Sequence, residues 1–503
     1  MKHKRKKEGA SIDSLVLTMV KLLTMLSSMV IVKILSVKLS LSEYGAYSAV
    51  MVVVNMGVNI AILGLLDSTN YFFNQTTDKK RREQIIVTTI VVEALSAGIF
   101  AIFVVLFREQ IALYFQIPNL VSALIIAAWI PMMMNGISIY QILYVAMRKA
   151  RQISIFSLLA TFVKLIYVSF VAFTIKDITV IFLCMLVAEF VQLVLMVTIF
   201  KLTTGYCFCS SSFSTGLAKQ ILRYAIPMGT YIWINTLTKE TDKLVIGRLA
   251  GAEALAMYTN AAKPLPFDIL TASFMTVLIP YITRFLAAKK NEDAAYALSC
   301  FYQISMIGVW GLALGVFLKP EGLITILYST QYTQIKVVFL LYIIVDMVRI
   351  LQTTILFSAT NNSKLLIKYA AIVCIGNVVL DISLYYQMGV AGPAVATLIV
   401  GLMHAAYMIW KGALIIQVPV KALFNVGKTV AQLVKLVIPL AIGFLFRCVL
   451  QRAGLDVVME FVLIYAVYLI AVFAVNFQTA LRLVKEINHL RFEDLLGTER
   501  EEL

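Results

Sequence analysis

The chain has 503 residues, 61% of them hydrophobic and only 14% charged, with a mean hydropathy of +0.90. Ordinary soluble domains carry roughly 25% charged residues, so a soluble globule is excluded. The formal net charge of +16 invites a nucleic-acid partner, but the basic residues sit in short clusters between apolar runs. That is where Lys and Arg fall when they are held on the cytoplasmic side of a membrane, and no nucleic-acid partner is expected.

The apolar runs are about 20 residues long, which at 1.5 Å rise matches the ~30 Å hydrocarbon core. The short alternating segments of a transmembrane barrel are absent. The predicted fold is all-α and polytopic, with about 14 transmembrane helices. In chain order, Lys2 to Lys7 form a basic lead into a first span that starts near Ser14. This span is too long for a signal-peptide core and is read as a retained helix. The spans are placed at 14–39, 44–73, 85–107, 119–147, 153–175, 178–200, 222–249, 255–283, 294–318, 335–358, 365–387, 392–416, 434–453 and 457–477. The second and eighth are long enough to tilt or to extend beyond a bilayer.

Charge sets the expected topology. With the N-terminus inside, Lys2–Lys7, Lys79–Arg82, Arg148–Arg151, Lys201, Lys219, Arg284–Lys290, Lys364–Lys368, Lys411–Lys428 and the tail from Arg482 face the cytoplasm. Those segments hold about 26 basic residues, against roughly eight opposite: Lys38, Arg108, Lys176, Arg248, Lys319, Lys336, Arg447 and Arg452. Both termini are expected inside, in the inner membrane of a bacterium. No outward loop is long enough for a domain.

The polar connection after helix 6, with Cys209-Ser210-Ser211-Ser212-Phe213-Ser214, divides the chain. The expected organisation is a six-helix bundle over 1–200, a cytoplasmic linker over 201–221, a second six-helix bundle over 222–416, and two extra helices with a tail over 417–503. The bundles read as a parallel repeat related by an axis along the membrane normal. Lys38 to Tyr47 and Arg248 to Tyr258 share a pattern: a basic residue, a short small or polar turn, an acid, then Tyr opening the next helix. Lys33 precedes the first copy and Lys243 the second.

An ionisable group at mid-membrane costs about 2.5–3.5 kcal/mol on insertion scales, so each needs a partner or water. Helix 7 has four within five positions: Lys239, Glu240, Asp242 and Lys243. They either neutralise one another as i,i+3 pairs or line a wet cavity. Lys21, Lys33, Lys164 and Lys263 join Lys239 and Lys243 as candidate cationic contacts for an anionic substrate. Asp242, Glu240, Glu93, Glu189 and Asp268 are candidates for coupling to H⁺ or Na⁺, with helix-to-helix pairing as the plainer reading of the last three. Asp346 and Arg349 read as a structural i,i+3 pair. Pro264 and Pro266 interrupt helix 8 and predict a bend.

The six cysteines are scattered without metal-ligand spacing, so no metal, disulfide framework or cofactor is expected. There is no P-loop, HExxH, GxSxG or Gly-rich dinucleotide turn, and no enzyme is expected.

Thr241-Asp242-Lys243-Leu-Val-Ile-Gly247, Leu249-Ala-Gly251 and Tyr258-Thr-Asn-Ala-Ala-Lys263, together with Leu222-Arg-Tyr-Ala-Ile-Pro227 and Gly389-Val-Ala-Gly392-Pro-Ala-Val-Ala-Thr397, resemble the polysaccharide transporter (Wzx-type) flippases. These belong to the multidrug/oligosaccharidyl-lipid/polysaccharide exporter superfamily. The resemblance implies a V-shaped pair of bundles, alternating access and an undecaprenyl-diphosphate-linked oligosaccharide as cargo, with glycan assembly enzymes and membrane lipids as partners. It places Lys243, Asp242 and Lys263 at matched motif positions. The alternatives are a cation-coupled multidrug exporter, a lipid II flippase and a membrane glycan enzyme, the last disfavoured by the short outward loops.

Overall fold

The computed structural model describes residues 2–147, 149–175, 177–206, 213–360 and 362–501, the side chains of 2–18, 21, 150–151, 268–270, 272–273, 276–277, 363 and 487–501 excepted. The middle of the expected linker, 207–212, lies outside the described residues. The chain forms two compact units, Met1–Thr259 and Asn260–Leu503. This grouping by packing differs from the division at 201–221, because the helix after the linker packs into unit 1. The repeat halves are a matter of sequence and remain a proposal.

Unit 1 contains α1 (Lys2–Lys38), α2 (Leu41–Ala61), α3 (Leu65–Asn74), α4 (Lys79–Leu106), α5 (Arg108–Phe115), α6 (Leu120–Ala127), α7 (Ile130–Ala146), α8 (Ala150–Thr174), α9 (Ile178–Thr204) and α10 (Thr215–Leu249), and ends within α11 (Gly251–Ala261). Unit 2 contains α12 (Asp268–Ala287), α13 (Asn291–Ser305), α14 (Gly311–Gly315), α15 (Pro320–Leu327), α16 (Lys336–Arg349), α17 (Ile355–Ala359), α18 (Ser363–Met388), α19 (Gly392–Ile415), α20 (Val420–Leu423), α21 (Val426–Leu450) and α22 (Val457–Glu501).

Ten helical stretches among the described residues are long and apolar enough to cross a bilayer, and one of them, 364–415, contains both α18 and α19. The remaining expected spans fall on α1, α10 and the α11–α12 pair. Their lipid-side surfaces are as the composition demands: Leu95, Ile99, Ile102, Phe103 and Leu106 on α4 are all exposed. In water such a surface would be a liability; in lipid it is the solvated face.

Several expected spans are broken, and each break has a local cause. The span over 44–73 bends at Leu63 and Gly64, both at positive φ (52° and 76°), where Gly64 alone tolerates the left-handed backbone freely. A Cβ on Gly64 would run into the backbone of Ala225 and Gly229 on α10, so the bend lets two backbones touch. The eighth expected span breaks between α11 and α12 as the prolines require. Pro264 and Pro266 have no N–H, and the Leu265 N–H left between them donates to Asp346 Oδ2 at 3.2 Å. Asp346 in turn accepts from Arg349 Nη1 at 2.8 Å. After α13 a π-helical turn, Met306–Trp310, is fixed by the Trp310 indole N–H donating to the Met347 carbonyl at 3.0 Å.

The repeated motif closes on itself within unit 1. Ser40 caps α2 in a capping box with Glu43. Just over one turn further in, Gly45 lies so close to Ala252 on α11 that a Cβ would meet the Ala252 carbonyl. Gly98 on α4 has open space instead. Gly45→Ala is therefore expected to lower stability by about 1–3 kcal/mol, read as a fall in melting temperature of the detergent-purified protein. Gly98→Ala, by contrast, should hold or raise that temperature by limiting the unfolded chain.

Candidate functional site

Ser214 starts α10 by accepting the Leu217 N–H with its hydroxyl at 3.3 Å. The helix then buries one stripe against α2, α3, α4 and α5. Leu217, Ile221, Ala225 and Gly229 begin the stripe and Thr236, Glu240 and Gly247 continue it at helical spacing. The same packing that buries the apolar stripe thus carries Glu240 and its neighbour Asp242 into unit 1, where they are 7% and 4% exposed.

Lys243 Nζ donates to Glu240 Oε2 at 2.8 Å and to the Lys239 carbonyl at 3.2 Å. The Lys243 backbone N–H donates to Asp242 Oδ1 at 2.7 Å. Lys239 itself is exposed. Two lysines and two carboxylates leave this quartet formally neutral, so the i,i+3 neutralisation allowed by the spacing is present for Glu240 and Lys243. An ion pair within one helix can open without moving another helix.

Lys164 has its partner on the neighbouring helix. Its Nζ lies 2.8 Å from Glu189 Oε1 on α9, with side-chain exposures of 31% and 9%. The pair forms the floor of a groove of about 640 Å³ between α8 and α9, walled by apolar residues such as Leu159, Val163, Leu183 and Val187. Lys33 is half-buried on α1, its carbonyl accepting from the Ser36 hydroxyl at 2.9 Å. Glu93 on α4 is 3% exposed, and its Oε1 has no hydrogen-bond partner among the described residues.

Lys263 belongs to unit 2. Its Nζ donates to Asn260 Oδ1 at 3.2 Å, and the Asn260 carbonyl accepts from the Tyr328 hydroxyl at 2.7 Å. Lys263 is therefore tied to the α11–α12 break. Lys21 and Asp268 fall on α1 and α12, and their side chains lie outside the described residues.

Sequence reasoning read Asp346 only as the partner of Arg349 and missed that it anchors the break. The available signal was the X-Pro-X-Pro spacing, which leaves a single N–H in need of an acceptor. Among the described residues no group of His, Cys, Asp and Glu is placed to hold a metal ion.

Residues 12–286 match the sequence profile of a family described as "Polysaccharide biosynthesis protein". No curated protein sequence matches the chain at a significant level. Among solved structures, a lipid II flippase MurJ in an inward closed conformation is similar at a TM-score of 0.71 and 15% identity, over 93% of this chain and 99% of that one. An inward-facing multidrug resistance MATE family transporter of the MOP superfamily gives 0.64 and 14%, over 81% and 98%. A MOP superfamily transporter from Pyrococcus furiosus gives 0.58 and 11%, over 81% and 94%. These likenesses show the multi-pass, all-helical fold common to such transporters.

Breaking a buried ion pair strands a charge at a cost of about 3–5 kcal/mol. Lys164→Met is accordingly expected to destabilise the protein by that order, with most of the loss recovered in Lys164→Met/Glu189→Gln. Thermal unfolding of the single and double variants checks it; a single variant as stable as the parent would show that the pair does not hold α8 to α9.

Proposed function

Because the chain belongs to the polysaccharide biosynthesis protein family, which its residues 12–286 match, we propose that it moves a lipid-linked oligosaccharide from the inner to the outer leaflet of a bacterial cytoplasmic membrane. The cargo is taken to be an undecaprenyl-diphosphate-linked glycan, the cycle to be alternating access, and both termini to be cytoplasmic. Transport, not catalysis, is the activity.

The observation that carries this reading is the charged quartet of α10, which lies inside the matched region. The diphosphate is the part of the cargo that a membrane interior excludes most strongly. Lys is a point-charge binder of phosphate, and Lys243 is held by a carboxylate that a diphosphate can displace without separating two helices. Lys239 and Lys33 in unit 1 and Lys263 in unit 2 are the further lysines assigned to the cargo, Lys21 standing with them on the sequence argument alone. Lys164 is given a lesser part because Glu189 already neutralises it. Glu240 and Asp242 are the carboxylates best placed to link cargo binding to an ion. Glu93 is a second candidate because one of its oxygens is buried without a partner among the described residues. Glu189 and Asp268 complete the set of acids assigned to H⁺ or Na⁺.

The test is a deletion strain lacking redundant flippases. Lipid-linked glycan should accumulate in the inner leaflet and surface glycan should fall, with both restored by the parent gene. Lys243→Gln should restore export at a level lower by about tenfold or more, because a charge-assisted hydrogen bond contributes about 1.5–3 kcal/mol. Unchanged surface glycan in the deletion would reject the reading. Accumulation of peptidoglycan precursor would point to lipid II as cargo, and drug sensitivity alone to multidrug export.

A further inference from the structure

A second charged site lies in unit 2, outside the residues that match the family. A cavity of about 240 Å³ opens where α13, α21 and α22 meet, lined by Tyr296, Lys428, Lys435, Thr479, Arg482 and Glu486 among others. Its apolar floor is closed by Leu483, which packs with Cys300 and Ile304 of α13. The α21–α22 contact beneath it is locked by the buried Gln432 amide donating to Asn476 Oδ1 at 2.7 Å.

The charges in this cavity do not balance. Glu486 is fully engaged: Oε1 accepts from Arg482 Nε at 2.9 Å and Oε2 from the Tyr296 hydroxyl at 2.9 Å. Arg482 is thereby matched, which leaves Lys428 and Lys435. Lys435 Nζ donates to a neutral oxygen, Thr479 Oγ1, at 3.0 Å. Lys428 has no ion-pair partner among the described residues. Three cations against one carboxylate give the cavity two excess positive charges.

The position selects the ligand. Lys428 is the third residue of α21 and Lys435 lies seven residues on, about 10 Å deeper along the axis. The cavity therefore runs from the helix start toward the hydrocarbon. On the faces of the same helices turned away from the cavity, Val430, Val434 and Val437 on α21 and Phe473 and Phe477 on α22 are exposed, so the helices that wall the cavity are solvated by lipid. The ligand that suits two excess cations on helices set in lipid is an amphiphile with an anionic phosphate head, not a free sugar or a cation.

We propose that this cavity binds the phosphate-bearing headgroup of a membrane amphiphile, with Lys428 and Lys435 as the charged contacts. Such a headgroup could come from an anionic phospholipid or from an isoprenyl diphosphate, and the site stands whichever it is. It does not rest on the glycan reading, and transport is not its readout, so either idea can fail alone.

The experiment uses the full-length protein in neutral detergent, titrated with phosphatidylglycerol, phosphatidylcholine, farnesyl diphosphate and inorganic phosphate and followed by native mass spectrometry. Phosphatidylglycerol or farnesyl diphosphate should be retained over phosphatidylcholine, and whichever is preferred identifies the source. Lys428→Gln/Lys435→Gln should weaken that binding by at least about tenfold. The Lys428→Arg/Lys435→Arg variant should keep it, as should Lys421→Gln, an exposed lysine outside the cavity. Melting temperatures confirm that the variants fold; the single change at exposed Lys428 serves if the double variant does not. Equal retention of phosphatidylcholine, no loss in the glutamine variants, or an equal loss in Lys421→Gln would overturn the proposal.

Discussion

A polar group in hydrocarbon has no water to fall back on, and leaving it unpaired costs several kcal/mol. That constraint explains where this chain departs from straight apolar helices. At the α11–α12 break, Asp346 reaches from α16 to accept the Leu265 N–H stranded between two prolines, and Arg349 then balances Asp346. Lys164 meets Glu189 across α8 and α9. In unit 2, Lys319 meets Glu460 at 2.6 Å while Arg447 donates to the Leu318 carbonyl at 2.7 Å, binding α21 and α22 to the segment before α15.

These pairs are of two mechanical kinds. Lys164–Glu189 and Lys319–Glu460 join different helices, so separating the helices would expose two charges to lipid. They act as bolts. Glu240–Lys243 joins residues of one helix and can open with no helix moving, whereas Asp346–Arg349, also within one helix, is tied to the α11–α12 break through the Leu265 N–H. A transporter needs both, rigid bundles that keep their shape and a charged group free to change partner. The assignment of cargo contact to α10 over α8 follows from that difference and not from depth in the membrane.

Small residues complete the scheme. Without a hydrophobic drive between helices in lipid, close backbone approach supplies much of the packing. Gly64 with Gly229, and Gly45 with Ala252, allow it at the bend between α2 and α3 and at the repeated motif. α10 takes part in the first contact and bears the charged quartet further along, so the helix that holds the quartet is itself firmly seated in unit 1.

The all-α class, the helix-length runs, the break at Pro264 and Pro266, and the Glu240–Lys243 and Asp346–Arg349 spacings were all legible in the sequence. Each depends on composition or on residues within one or two turns. The bend at Leu63 and Gly64 was not legible, because a single glycine in an apolar run is common in membrane helices and only the approach of α10 gives it a purpose. Nor could the sequence pair Lys164 with Glu189, 25 residues away, or Asp346 with the Leu265 N–H, 81 away. The excess charge shared by Lys428 and Lys435 was equally hidden, since Lys428 read as an ordinary cytoplasmic-side basic residue and Lys435, at the start of the span over 434–453, drew no reading. By itself the sequence determined that this protein lives in a membrane and which charges had to be answered there. Tertiary structure decided which group answers which, because an ion pair between helices is set by how those helices pack and not by their separation along the chain.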